Sequence, residues 1–237
     1  MFSKSGASAA KRSESRGWAL IAAALALGFA FLASTSTAKA DFIINFDNLA
    51  TGPSSFAAAG APQTITQNGA TVTGGVVLGN PTFFGDFTTV GSQPNIYATA
   101  DFGGTTANPT SANILINFGS ALNVQTVSGL IFNGLPQADT FTVTAYSGLT
   151  LVDTEVYSKV NPNYLTVNYA NFTVSGSVLK PITQVVFASS DPTSFDYGID
   201  TIHVKSVPEP ASLALFGIGL VAFGSRKLRR KSQNRSL

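Results

Sequence analysis

Between Phe42 and Val204 apolar and polar residues alternate in short runs, and the period is that of half-buried strands. In TFTVTAY (140–146), Phe141, Val143 and Ala145 fall on one face while Thr140, Thr142, Thr144 and Tyr146 fall on the other. Similar β-rich runs are FIINF (42–46), ATVTGG (70–75), IYATADF (96–102), NILINF (113–118) and VQTVSGLIF (124–132). LVDTEVYS (151–158), YANFTVS (169–175), ITQVVFA (182–188) and YGIDTIHV (197–204) continue the series. Turn residues in NGLPQAD, SG, NPN and DPTS punctuate them. No helical periodicity holds over ten residues. Many short strands without intervening helices predict an all-β chain with a single β-sandwich domain of jelly-roll type. The stretch from Ala50 to Asn95 is rich in Gly, Pro, Ala and Thr and poorly patterned, which predicts long loops. In the last strand strict alternation puts Ile199, Thr201 and His203 on one face and Asp200, Ile202 and Val204 on the other.

The pattern changes at both ends. Residues 1–40 run from a basic segment through the apolar stretch Trp18–Ala33 to Ala38-Lys39-Ala40. That order, with small side chains at Ala38 and Ala40, predicts a signal peptide cut by signal peptidase after Ala40. Sixteen apolar residues are long for a signal core and short for a span, so an uncleaved anchor helix is the competing reading. A sandwich over 41–206 follows. At the other end Pro208, Glu209 and Pro210 precede fourteen uncharged residues, Ala211–Gly224, and then a basic tail. As a helix, 211–224 would be about 21 Å long, short of a bilayer core of about 30 Å. Long Lys and Arg side chains at Arg226, Lys227, Arg229 and Arg230 extend that reach by snorkelling. The same cations hold the tail on the cytoplasmic side. The two prolines fix φ and remove donors, so Pro208–Pro210 predicts a stiff, extended peptide at the membrane face.

Charge adds to this division. Charged residues make up only 11% of the chain, against about a quarter in an ordinary protein. The whole chain carries +2, yet residues 41–206 hold three lysines, no arginine and ten acids. The positive charge therefore belongs to the ends, and the middle lacks the basic stripe that nucleic-acid binding requires. With no cysteine there is no disulfide, thiolate nucleophile or thiolate metal site.

Candidate chemistry in the middle is sparse. His203 is the single histidine, too few for an ordinary transition-metal site, and no nucleophile motif accompanies it. Asp153 with Glu155, or Asp191, Asp196 and Asp200, could supply paired carboxylates for a glycosidase, but spacing alone does not put any two across a cleft. Asp47 leaves the first strand and Asp200 lies in the last. Terminal strands of a sandwich often adjoin, so the two could share a calcium ion; the alternative is that they cap turns through their own hydrogen bonds. Thirteen phenylalanines in 41–206 read as core. Tyr157, Tyr164 and Tyr169 are the aromatic residues left to form a stacking surface for sugars.

VPEPASLALFGIGLVAFGSRKLRRK (207–231) resembles the PEP-CTERM sorting signal of Gram-negative bacteria: Pro-Glu-Pro, a short Gly-containing apolar helix, and a basic cluster. The resemblance implies recognition at Pro208, Glu209 and Pro210 by an exosortase, a membrane-embedded cysteine transpeptidase. Arg226, Lys227, Arg229 and Arg230 would then be the membrane stop. It also implies an inner-membrane precursor delivered to the cell surface or extracellular matrix, in association with exopolysaccharide and biofilm. FDNLATG near the start and YGIDTIHV before the Pro-Glu-Pro are similar to the β-domains found in such proteins. The expected product is a non-catalytic structural or adhesive component. A carbohydrate-binding module is the alternative, and a secreted hydrolase a more remote one.

Overall fold

The computed structural model describes residues 41–206 except 81–83, 85–86, 102–110 and 120–121. The predicted signal peptide with Ala38 and Ala40, the apolar segment 211–224, Pro208, Glu209 and Pro210, and the cations Arg226, Lys227, Arg229 and Arg230 lie outside the described residues. Eleven strands are present: β1 (Phe42–Ile44), β2 (Gln63–Gln67), β3 (Ala70–Gly79), β4 (Asn95–Ala100), β5 (Asn113–Phe118) and β6 (Val124–Asn133) in the first part. The second part adds β7 (Asp139–Ser147), β8 (Thr150–Val160), β9 (Tyr169–Ser175), β10 (Gln184–Ser189) and β11 (Asp196–Ser206). Two single-turn helices, α1 (Phe56–Ala59) and α2 (Phe87–Val90), complete the described elements. Among the described residues no helix is long and apolar enough to cross a membrane.

The all-β expectation holds, with one difference of substance. The two layers are a single antiparallel path, β8-β7-β10-β5-β3-β4-β11-β6-β9, with β1 added to β11 and β2 to β3. One strand belongs to both layers. β3 pairs with β5 through Ala70–Thr73 and with β4 through Val76–Gly79. The bend falls at Gly74, whose φ of 99° suits only glycine and whose α-carbon faces the Asn113 carbonyl with no room for a side chain. A bent strand leaves ladder groups unpaired, and a buried tyrosine takes up the slack. The Tyr97 hydroxyl accepts from Gly75 N at 2.9 Å and donates to the Gln63 carbonyl at 2.6 Å. Burial pushes the Tyr97 phenol up to about 12, offset in part by the Gly75 hydrogen bond. Tyr197 does the equivalent across the core, accepting from Ile114 N at 3.0 Å and donating to the carbonyls of Phe187 and Ala112.

The outer edges of the path come back together. Strand β9 lies beside β8, where Ser175 N donates to Asp153 Oδ2 and Thr173 N donates to the Tyr157 hydroxyl. The sheet is thus nearly closed, and its edges are covered as edge strands generally must be. Inside, Phe172 and Phe187 meet edge to face at 5.0 Å and Phe141 lies 5.4 Å from Tyr197, so the phenylalanines serve as core.

The loops predicted over Ala50–Asn95 prove to be structured. That span contains β2, the whole of β3 and both short helices. The run read at 70–75 is the first half of β3, where Ala70 and Val72 are buried and Thr71 and Thr73 half-buried; beyond it Val76, Val77 and Leu78 are buried together, so the period-two alternation stops there. The segment also covers the outer face of the β4-β11-β6-β9 half. Phe56, Phe84 and Phe87 pack there on Val76, Leu78, Ile96, Leu130 and Phe132 as a second, smaller core.

Candidate functional site

Strict alternation fails in β11 at one place. Ile199 and Ile202 both point into the main core, which requires an extra residue between them. Register against β6 shows it: Asp200 pairs with Leu130 and His203 with Ser128, three steps on one strand for two on the other. This is a β-bulge, and Thr201 carries it at φ 51°, a conformation β-branched residues seldom adopt. The expectation that Asp200 shares a face with Ile202 and Val204 is therefore corrected. Asp200 turns to the outer, covered face, while Ile202 and Val204 remain inside. His203 stays outward and exposed.

Outer-facing residues now line up across strands in rows. Ile43, His203, Ser128 and Thr173 are successive partners on β1, β11, β6 and β9. Leu130 and Asn171 form the next row, Phe132 and Tyr169 the one after. Where the α2 cover stops, these rows become the floor of an open groove of about 420 Å³. Val90, Leu130 and Tyr169 give it an apolar wall, and Ser128, Asn171, Thr173, Thr201 and His203 give it hydroxyl, amide and imidazole groups. Tyr169 is held from behind by Phe132, with ring centroids 5.8 Å apart and Phe132 edge-on to Phe87 at 5.6 Å. No carboxylate is among the described lining residues.

The cover is fastened to β11 by the displaced aspartate. Ser92 N donates to Asp200 Oδ2 at 2.6 Å and Ser92 Oγ reaches both carboxylate oxygens at 3.0 Å, while Thr201 Oγ1 donates at 3.1 Å. Burial raises the Asp200 carboxyl to about 6, and the hydrogen bonds from Thr201 and Ser92 limit the rise. Three residues on, Asn95 N donates to Asp47 Oδ1 at 3.2 Å. Asp47 and Asp200 thus hold the two ends of Ser92–Asn95, with each carboxylate occupied by donors of its own chain. No group of three or more His, Cys, Asp or Glu side chains that could hold a metal occurs among the described residues. Asp196 is buried nearby. Burial first, and the Asp101 charge second, push its carboxyl well above the usual range, and its Oδ1 has no partner.

Of the three tyrosines singled out from sequence, the groove takes Tyr169. Tyr157 is tied to Thr173 N at the β8–β9 edge, and Tyr164 stands exposed in the β8–β9 loop. Asp153 caps the Ser175 amide, and Asp191 accepts from the amide and hydroxyl of Thr193, which hold its carboxyl below the usual range. Ser128, Asn171, Thr173 and Thr201 escaped the sequence reading, because an outward Ser, Thr or Asn on a strand looks the same over a groove as over open solvent.

The geometry defines an all-β domain with a polar, aromatic-edged groove on one outer face. Residues 206–231 match the PEP-CTERM protein-sorting motif, so the chain carries the sorting signal its sequence resembles, which implies an exported precursor. No curated protein matches the chain. Among solved structures it is similar to the K2 cleaved adhesin domain of Lys-gingipain at 19% identity, covering 70% of this chain and 99% of that one with a TM-score of 0.42. A DUF4465 family protein from Bacteroides caccae matches at 13% identity, 71% and 100% coverage and a TM-score of 0.45. A family 29 carbohydrate-binding module matches at 11%, 71% and 93% coverage and 0.32. At these scores the likenesses carry no argument about what the groove binds.

Proposed function

We propose that this protein is exported behind a signal peptide cut at Ala40 and held in the inner membrane by residues 211–224. An exosortase then processes it beside Pro208–Pro210, and the domain over 41–206 goes to the cell surface or extracellular matrix. There it acts as a non-catalytic structural or adhesive component associated with exopolysaccharide. The match of residues 206–231 to the sorting motif carries this reading. Replacing Glu209 with Gln, or Pro208 and Pro210 with Ala, leaves full-length precursor in the inner membrane by immunoblot of fractions. Ordinary processing of those variants contradicts the proposal.

A second reading, that the domain binds a saccharide, is favoured by the groove itself. Its apolar wall ends in a tyrosine ring, and its floor offers neutral donors and acceptors in cross-strand rows. That combination suits the apolar face and hydroxyls of a neutral sugar better than an anion or a metal. Glycan-array binding that disappears with Tyr169→Ala supports it; an array empty for the parent protein removes it. A calcium ion held by Asp47 and Asp200 belongs with this reading. It predicts a melting temperature that falls with chelator, and melting indifferent to chelator and to added calcium leaves the two carboxylates as loop clamps.

A further inference from the structure

One end of the domain carries an exposed apolar surface. Leu149, at the tip of the β7–β8 turn, is 102% exposed relative to its reference and Leu179, at the tip of the turn before β10, is 93% exposed. Leu151 and Val178 beside them are also exposed. Isolated surface leucines need no explanation, but the β7–β8 turn is bonded to the segment that leads from the Leu179 turn into β10. Thr183 N donates to the Tyr146 carbonyl and Gly148 N donates to Thr183 Oγ1. The described chain ends at the same place. Ile182 N donates to the Val124 carbonyl, and Val124 is the register partner of Ser206, the last described residue. Ser206 N in turn donates to Asp41 Oδ1.

Charge follows the same arrangement. Of the three lysines in 41–206, Lys180 adjoins Leu179 and Lys205 adjoins Ser206, both exposed. Lys159 is near the other end of the sandwich, beside the Asp139–Val160 pair. The two acids at the apolar end, Asp41 and Asp153, both accept backbone N–H groups. Only four residues, 207–210, separate Ser206 from the apolar run 211–224, and such a stretch spans at most about 14 Å. A domain tethered that closely to a bilayer must present some surface to it, and the end where the tether leaves has leucine tips flanked by lysines. Apolar tips that enter the headgroup boundary while lysines reach lipid phosphates are the ingredients of interfacial binding.

We infer that the end formed by the Leu149 and Leu179 turns rests on the phospholipid surface in the precursor, with Lys180 and Lys205 facing anionic headgroups. This inference rests on the proposed membrane anchoring by 211–224. Its consequence is that the Pro-Glu-Pro is held at the bilayer surface and not left to sweep a larger volume.

The test places a single tryptophan in the precursor 41–237, which has no tryptophan of its own because Trp18 leaves with the signal peptide. The chain is reconstituted in vesicles of zwitterionic and anionic phospholipid with brominated acyl chains. Leu179→Trp should show blue-shifted emission and lose intensity to the brominated lipid. Tyr164→Trp, in the exposed loop at the opposite end, should show neither change. Carbonate extraction of the same vesicles separates two failures. A chain that resists extraction while Leu179→Trp behaves like Tyr164→Trp overturns the lipid contact and leaves the anchoring intact. A chain that washes off overturns both. Blue-shifted emission without quenching assigns the turns to a protein surface, such as a second copy, and also overturns the inference. As an independent check, Leu149→Asp with Leu179→Asp should abolish the quenching of a tryptophan at Val178 without lowering the melting temperature.

Discussion

The two outer faces of the sandwich are built to different rules. On the β5-β10-β7-β8 half the outward residues of β7 are Thr140, Thr142, Thr144 and Tyr146, all half-buried, over inward Phe141, Val143 and Ala145. On the β4-β11-β6-β9 half the outward side is apolar for much of its area and is roofed by Phe56, Phe84 and Phe87. Strand β4 shows the consequence, since all six of its residues are buried. A bare face needs only alternation. A roofed face needs a second core, loops long enough to reach it and buried polar clamps to fix them. The groove exists because the roof stops short, at Val90, above rows of side chains that would otherwise be plain sheet surface.

The largest test of that contrast removes the sheet residue on which the roof rests. Phe132→Ala, taking away a ring that contacts both Phe87 and Tyr169, should lower unfolding stability in urea by about 3–5 kcal/mol. Thr142→Ala on the bare face should change it by no more than about 0.5 kcal/mol. Comparable losses at the two sites mean the faces do not differ as described.

Next in size is the seam between the halves. Tyr197→Phe leaves Ile114 N and the Phe187 and Ala112 carbonyls short of a buried partner, and should cost about 1–3 kcal/mol. Retained wild-type stability in that variant would show that water replaces the hydroxyl.

The clamp gives a pH signature. Asp200 is raised in the folded state to about 6, so the native protein holds this proton at pH values where the unfolded chain has released it. Its contribution to stability is thus fully present below the unfolded value of 3.8 and is lost as pH rises toward about 6. The loss is on the order of 2–3 kcal/mol, and Asp196, raised for the same first reason, acts in the same direction. Asp200→Asn should flatten the slope in that window and equal or exceed the parent protein above it. An unchanged slope assigns the effect to Asp196 alone.

The smallest effect on folding is expected in the groove. His203→Ala and Asn171→Ala, both exposed, should leave unfolding within about 0.5 kcal/mol of the parent protein. If the saccharide reading holds, the same variants weaken glycan retention, which separates the floor of the groove from its supporting roof.

Alternation made β7 legible to the residue, because a face against water and a face against the core impose opposite demands at every second position. The same logic ran out halfway along β3, where Val76, Val77 and Leu78 are buried together, and at Asp200, where one inserted residue reversed the parity of a strand whose composition gives no sign of it. The groove was legible only as one tyrosine among three, since polar outward residues acquire a role from their neighbours on other strands.

By itself the sequence determined the division of the chain: a net-acidic, cysteine-free β-rich middle between two ends in which apolar runs adjoin cations, the last of them the sorting signal. Those are local properties, set by composition, period and order along the chain, and they need no tertiary contact to be expressed. Only the tertiary structure decided that β3 joins the two layers, that Asp200 clamps Ser92 and that His203, Ser128 and Thr173 stand in one row. It also brought Leu149 and Leu179 to the end where the chain leaves the domain. Each of these depends on register between strands far apart in sequence, and register is fixed by packing the whole sheet at once.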